Sequence, residues 1–179
     1  GGESEQPEQD DFVLVKPIAE SGSIGVRSGG IKYGDFDMRQ LHFVNDQSML
    51  FQEYIDGKEI ECPFFEDAGQ IICLPPIELE SEDGYLHEDC SKNNLYKFSL
   101  YKGENIEQIC SEVKRIANTL NIRTYGRIDF RIDNLGRFYL IDIATMPYLC
   151  EHSSFAYSMA QINYKRSDIF KINKVSPAI

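Results

Sequence analysis

Tyr125-Gly126-Arg127-Ile128-Asp129-Phe130-Arg131-Ile132-Asp133-Asn134-Leu135-Gly136-Arg137-Phe138-Tyr139-Leu140-Ile141-Asp142-Ile143-Ala144 is the stretch on which the reading of this chain turns. Two alternating runs flank Asp133-Asn134-Leu135-Gly136, whose small polar residues and glycine suit a tight turn, so the stretch predicts a β-hairpin. Pairing Asp133 with Gly136 puts Ile128, Phe130 and Ile132 on one face with Tyr139, Ile141 and Ile143, and that face is core. The other face then carries Arg127, Asp129, Phe138, Leu140, Asp142 and Ala144, with Arg127 opposite Asp142 and Asp129 opposite Leu140. Asp129 and Asp142 become diagonal neighbours, roughly 7–8 Å apart at Cα, and two short carboxylates there can close on one hard divalent cation such as Mg²⁺. A plainer reading stays open: a cross-strand Arg127–Asp142 ion pair with Asp129 solvated.

Outward from the hairpin, 179 residues suit one domain, or one with a small appendage, and 42% hydrophobic residues are enough to build a core. Lys and Arg number 18 against 29 Asp and Glu, a formal charge of −11 that disfavours a polyanionic nucleic-acid partner. Any phosphate ligand then needs a local basic pocket or a metal. Cys62, Cys73, Cys90, Cys110 and Cys150 show no C-x-x-C spacing and read as reduced thiols. No run of ~18 apolar residues and no basic-then-apolar leader is present, so the expectation is a soluble, cytoplasmic protein without a membrane span.

Residues 1–11 are polar and acidic and are expected to be a disordered tail; 12–165 form the expected domain, and 166–179 a weakly patterned C-terminal tail. Phe12 to Pro17 reads as a strand, followed by a Ser/Gly loop and a second strand; with Lys16 at the strand end, such a loop can present N–H groups and a cation to phosphates. Ordinary hairpins carry the same residues, and no G-x-x-x-x-G-K-[ST] or G-x-G-x-x-G fingerprint is present. Met49 to Glu61 reads as a strand, an Asp56-Gly57 turn and a second strand running on towards Phe65, whose outward Glu59 and Glu61 read as a solvated face. Glu78 to Lys102 loses periodicity, as lids and disordered loops do. Glu104 to Leu120 repeats apolar residues at 3, 4 and 7, a helix with a capping box at Asn105 and Gln108. A last helix is expected over Ser153 to about Asn163.

Strand-Lys16-Pro17 with its Ser/Gly loop, Glu53-Tyr54-Ile55-Asp56-Gly57-Lys58-Glu59, Gly126-Arg127-Ile128-Asp129-Phe130 and Leu140-Ile141-Asp142-Ile143-Ala144-Thr145-Met146-Pro147 stand in one order. Together they resemble the ATP-grasp ligases, most closely the D-alanine–D-alanine ligase branch, and His152-Ser153-Ser154-Phe155 is similar to the segment after that branch's proline. The likeness runs from Phe12 to Ser158. It implies an α+β fold of ATP-grasp-type antiparallel sheets with packed helices, incomplete here because the N-terminal substrate domain is expected to be missing or supplied by a companion chain.

Position by position, the resemblance implies that Lys16 touches nucleotide phosphates and that Glu20, Ser21, Gly22 and Ser23 close over them. It implies that Glu53, Tyr54 and Ile55 hold adenine, Glu59 grips the ribose, and Lys92 stands where the family's long loop offers a lysine. Asp129 and Asp142 match metal-binding carboxylates, Arg127 matches the arginine at the reacting acyl group, and Ser153 matches a residue near the second substrate's carboxylate. ATP and Mg²⁺ are the implied cofactors and an amino-acid-like molecule the implied substrate. Three departures accompany the likeness. Ala144 stands where the family has a metal-binding asparagine, Tyr148 where it usually has glycine, and the loop reads Ser-Gly-Ser rather than Gly-Ser-Ser.

The leading expectation is therefore a portion of an ADP-forming carboxylate–amine ligase, inactive as an isolated piece. The alternative is a catalytically degenerate module that binds nucleotide or a protein partner without turnover; a third is an unrelated α+β domain with coincident motifs. The sequence leaves the oligomeric state open, a homodimer included. His42, His87 and His152 lack zinc-ligand spacing, and no G-x-S-x-G accompanies Ser153.

Overall fold

The computed structural model describes residues 6–18, 26, 28–37, 39, 49–82, 84–93, 95–163, 165, 168 and 169. The chain divides into two compact units, 1–56 with 81–97, and 57–80 with 98–179.

In the first unit, β1 (Phe12–Pro17) lies between β2 (Ser28–Lys32) and β3 (Met49–Glu53) in an antiparallel three-stranded sheet. Val13 and Val15 alternate into a small core with Phe36, packed by Ile31, Tyr33, Met49 and Phe51. The short helix α1 (Glu88–Asn93) also belongs to this unit and buries Cys90.

The second unit is organised by β4 (Gly57–Asp67) and β8 (Tyr125–Asp133), which pair antiparallel over nine rungs from Gly57↔Asp133 to Phe65↔Tyr125. With β5 (Gln70–Cys73), β6 (Ile77–Ser81), β7 (Tyr96–Leu100) and β9 (Phe138–Ala144) they form a six-stranded sheet of order β7-β6-β4-β8-β9, β5 pairing with the far end of β4. On one face, Ile60, Cys62, Phe64, Ile128, Phe130 and Ile132 meet Ile109, Val113, Ile116 and Ala117 of α2 (Ile106–Thr119). Each Ile or Val fully removed from water there contributes about 1.5–3 kcal/mol. On the other face, α3 (Ser154–Gln161) brings Phe155 and Met159 against Phe65 and Leu74. That cap is short, and the rest of the face is left to charged side chains.

Several expectations need correction. Both strands expected over Met49 to Phe65 are present, but they do not pair with each other: β3 pairs with β1 and β4 with β8, so Tyr54, Ile55 and Asp56 link two sheets. Gly57 explains the abrupt passage. Its φ is +152°, and a Cβ there would collide with the Ile132 carbonyl across the ladder. The stretch 78–102 is not a loop. It contains most of β6, all of α1 and all of β7, elements too short for periodicity to reveal, although Ile77 and Leu79 of β6 do alternate inward. Asn105 makes no capping bond to α2. Its amide accepts from Tyr101 Oη (2.7 Å) and donates to the Gly136 carbonyl (3.2 Å), tying the helix start to the hairpin turn. The helix ends as a Schellman motif, with Asn121 left-handed (φ +54°) and Ile122 N–H returning to the Ala117 carbonyl.

The hairpin β8–β9 exists, but its register differs from the sequence expectation by two steps. Asp133 N–H bonds the Arg137 carbonyl (2.9 Å), so the loop has three residues, Asn134 to Gly136, with Gly136 left-handed at +78° and the Asp133 carboxylate accepting from Leu135 N–H and Arg137 N–H. A bulge then shifts the ladder again between Asp129 and Phe130. Phe138, not Tyr139, therefore faces the core opposite Ile132. Two one-residue shifts restore parity, which puts Asp142 directly opposite Asp129 rather than diagonal to it.

Candidate functional site

The charged face of the second unit is built of rungs. Pro63, Arg127 and Ala144 share one; Glu61, Asp129 and Asp142 share the next; Glu59, Arg131 and Tyr139 the one after. Strand alternation alone projects all of them from the face opposite α2. Three carboxylates thus stand abreast on three neighbouring strands, and like charges directly opposite one another are destabilising unless something positive intervenes.

Part of that positive charge is the protein's own. Arg127 donates from Nε to Asp129 Oδ1 (2.8 Å) and from Nη2 to Asp129 Oδ2 (2.8 Å), a bidentate fork. Its Nη1 stands 3.5 Å from Glu61 Oε2. Arg131 donates from Nη2 to the Gly57 carbonyl (2.8 Å) and from Nη1 to Glu59 Oε2 (3.4 Å). Arg127 therefore does not pair with Asp142, and Asp129 is not solvated: Asp129 and Glu61 are each 3% exposed. Nor are Glu59 and Glu61 a solvated face: both side chains are largely buried, Glu61 beside Arg127 and Glu59 beside Arg131.

Four carboxylates, Glu59, Glu61, Asp129 and Asp142, face two guanidiniums, Arg127 and Arg131, a surplus of two negative charges when all are ionised. Burial pushes the Glu59 carboxyl up to about 7, and the Asp129 charge adds to the rise against the pull of Arg131. Asp129 is likewise pushed up to about 7, by burial first, opposed by Arg127 and reinforced by Glu61 and Asp142. Glu61 is raised by burial against the attraction of Arg127. Burial alone would depress Arg127, but Asp129 and Glu61 outweigh it and hold the guanidinium charged. Glu59, Glu61 and Asp129 are thus acids reluctant to ionise without a further cation.

A divalent cation fits this donor set. It would neutralise the surplus, and oxygen carboxylates are the ligands hard cations take. The Glu61 Oε2 atom is buried and makes no close hydrogen bond, Arg127 Nη1 standing 3.5 Å away, so the donor set keeps an acceptor in hand. Among the described residues no three acidic, histidine or cysteine side chains already form a metal cage. Mg²⁺ is commonly held by one or two carboxylates plus phosphate oxygens and water, and Asp129 and Asp142 are the pair that would supply the carboxylates here.

The remaining expected site residues fall as follows. Lys16 is half-buried on β1 and Glu53 exposed on β3, both in the sheet of the first unit; Tyr54 and Ile55 follow in the connector, Tyr54 N–H bonding the Phe12 carbonyl (2.9 Å). Lys92 is exposed in the last turn of α1. Glu20, Ser21, Gly22 and Ser23 lie outside the described residues. Ser153 is the N-cap of α3. Its hydroxyl accepts from Ala156 N–H (3.2 Å) and donates to the Cys150 carbonyl (2.7 Å), so it already has local work. Glu61, Arg131 and Ser154, whose buried hydroxyl lies beside the Glu61 carboxyl and opposes the effect of burial on it, carried no expectation as site residues. The alternation Glu59-Ile60-Glu61-Cys62 carried the signal, but only pairing with a strand some 70 residues away turns that face into a site.

Two antiparallel sheets, the second with a helix on either face and a rung of opposed carboxylates beside an arginine, are the ATP-grasp-type arrangement that the sequence resemblance implied. A family model described as "D-ala D-ala ligase C-terminus" matches residues 8–172, and the chain belongs to that family. Relatives include the D-alanine–D-alanine ligase of Fervidobacterium nodosum, 31% identical over 149 residues covering 81% of this chain and 47% of the relative. That of Mannheimia succiniciproducens is 26% identical over 156 residues, covering 85% and 50%. Among solved structures, D-alanyl-alanine synthetase A from Vibrio cholerae superposes with a TM-score of 0.71 at 20% identity, covering 90% of this chain and 51% of that one. A D-alanine–D-alanine ligase from Bacillus anthracis complexed with ATP gives 0.63 at 20% identity, covering 90% and 50%. The chain spans about half the length of the relatives it matches.

Proposed function

We propose that this chain is the nucleotide- and metal-handling portion of an ATP-dependent, ADP-forming carboxylate–amine ligase of the D-alanine–D-alanine ligase kind. The observation that carries the reading is the rung on which Asp129 and Asp142 face each other, with Arg127 clasping Asp129. In the reaction a substrate carboxylate oxygen bonds to the γ-phosphorus of ATP as the bond to the β-phosphate oxygen breaks, releasing ADP. The free amine of a second amino acid then attacks the acyl carbon, phosphate leaves, and the nitrogen gives up one proton and keeps the other as the amide N–H. Such transfer depends on positioning and charge neutralisation rather than a protein nucleophile.

Each residue has a part consistent with its place. Asp129 and Asp142 hold Mg²⁺, which screens the phosphates when bound; Arg127 offers its charge to the developing oxyanion. Lys16 and the Glu20–Ser23 loop contact phosphates, Lys92 adds a further cation, Glu53, Tyr54 and Ile55 hold adenine, and Glu59 the ribose. Ser153 supports the second substrate from the α3 N-terminus. ATP-bound similarity in the Bacillus anthracis structure and the family match support the nucleotide assignment. D-alanine is the first substrate to try, because the named relatives are D-alanine–D-alanine ligases.

The test uses this chain with whatever sequence flanks it in the native protein, Mg-ATP and D-alanine, measuring ADP release. Amino-acid-dependent release that disappears in Asp129→Asn is expected. Tight ATP binding with no ADP above background for any amino acid would instead make Ala144 the mark of a nucleotide-binding module without turnover.

A further inference from the structure

Arg127 lies between two carboxylates that it treats unequally. Asp129 receives both Nε and Nη2 at 2.8 Å, whereas Glu61, 3% exposed, has the Ser154 hydroxyl beside its carboxyl and from the arginine only the approach of Nη1, 3.5 Å from an Oε2 that makes no close hydrogen bond. The other residues on the arginine's rung, Pro63 and Ala144, have no side-chain oxygen with which to hold a guanidinium. A cation on Asp129 would compete with Arg127 for the same two oxygens and repel its charge. The displaced donors then have a buried Glu61 oxygen next to them that makes no close hydrogen bond.

We infer that Glu61 is a positioning residue that takes over the Arg127 guanidinium when a divalent cation occupies Asp129. This rests on the metal-site reading given above. The carboxylate keeps the arginine at the site, aimed beside the metal, instead of leaving it to contend for Asp129 or to swing into solvent. A buried acceptor lacking a donor is otherwise costly, and here the vacancy is filled by the movement that metal binding demands. Glu61 needs no contact with the metal to do this.

Mn²⁺ titration followed by electron paramagnetic resonance, with ATP binding measured separately without metal, tests the inference. Glu61→Gln is expected to weaken Mn²⁺ binding roughly 10–100-fold, the usual range for residues that orient metal ligands. In an Arg127→Met background the same substitution should change Mn²⁺ affinity by less than about twofold, because no guanidinium is left to compete for Asp129. Equal weakening in both backgrounds would make Glu61 a direct ligand and overturn the inference, as would unchanged affinity in Glu61→Gln alone. A chain that binds ATP but takes up no Mn²⁺ also overturns it while leaving nucleotide binding intact. If the Arg127→Met protein does not fold, the Arg127 Nε–H nuclear magnetic resonance signal of the unmodified protein decides. Saturating Mg²⁺ should shift that signal as its bond to Asp129 opens, and an unmoved signal refutes the exchange.

Discussion

Two residues show how much one side chain decides here. Ala144 shares a rung with Arg127, adjacent to the rung of Asp129 and Asp142, and its methyl group offers a cation nothing. Ala144→Asn should therefore add an oxygen within reach and tighten Mn²⁺ binding roughly 3–10-fold, read in the same resonance titration. Unchanged or weaker binding would mean that position 144 does not look onto the metal. Gly57 is the opposite case, a residue whose lack of a side chain is essential. At φ +152° and against the Ile132 carbonyl, a methyl has neither a comfortable backbone conformation nor space. Gly57→Ala should cost about 2–3 kcal/mol in urea unfolding and displace the carbonyl that receives Arg131. A loss under about 0.5 kcal/mol would show that β4 can shift without penalty.

At the scale of elements, α3 makes a separable prediction. Ser153 caps it, so Ser153→Ala should lower stability by about 0.5–2 kcal/mol whether or not nucleotide is present. A change seen only in substrate binding, with the melting temperature unmoved, would assign Ser153 wholly to the ligand. The elements also show what could be read from the residues. The α2 stripe of Ile109, Val113, Ile116 and Ala117, strand β1 and the existence of the β8–β9 hairpin follow from local periodicity, and the structure has all three. The grouping of Arg127, Asp129 and Asp142 on one face was legible too, although the register behind it was not. The loop and the bulge each add one residue, and their effects on facing cancel beyond the bulge, leaving Phe138 and Tyr139 exchanged before it. Glu61 was invisible as a site residue for another reason. An acid alternating outward on β4 looks solvated until β8 lies beside it, and that pairing joins residues far apart in the chain. The short elements between Glu78 and Lys102 escaped because four to six residues give periodicity too little length.

At the scale of the whole molecule, the acidic face couples folding to pH and, on the function proposed above, to Mg²⁺. Asp129 and Glu59 are held up to about 7, from ordinary values near 4, by burial first and then by neighbouring carboxylates, Glu61 and Asp142 acting on Asp129 and Asp129 on Glu59. Between those limits the folded chain keeps protons that the unfolded chain has released, so stability must fall as pH rises through the window. The contribution is fully present below the unfolded values and is lost by the time pH passes about 7. Asp37 and Glu112 are lowered by their arginine partners, Arg39 and Arg115, and their contribution has the opposite sign, being lost only as pH falls below the ordinary carboxylate range. Metal-free protein should therefore melt at a lower temperature at about pH 8 than at about pH 5.5, and the double variant Glu59→Gln, Asp129→Asn should flatten the slope between them. Mg²⁺ needs the carboxylates deprotonated, so with ATP present it should raise the melting temperature more at the higher pH, where no proton competes. Differential scanning calorimetry across that range, with and without Mg-ATP, reads both effects. A metal-free melting temperature that rises with pH would mean that the four carboxylates are already balanced by the protein itself. In that case the surplus charge on the Glu61–Asp129–Asp142 rung could not be what draws a cation to it.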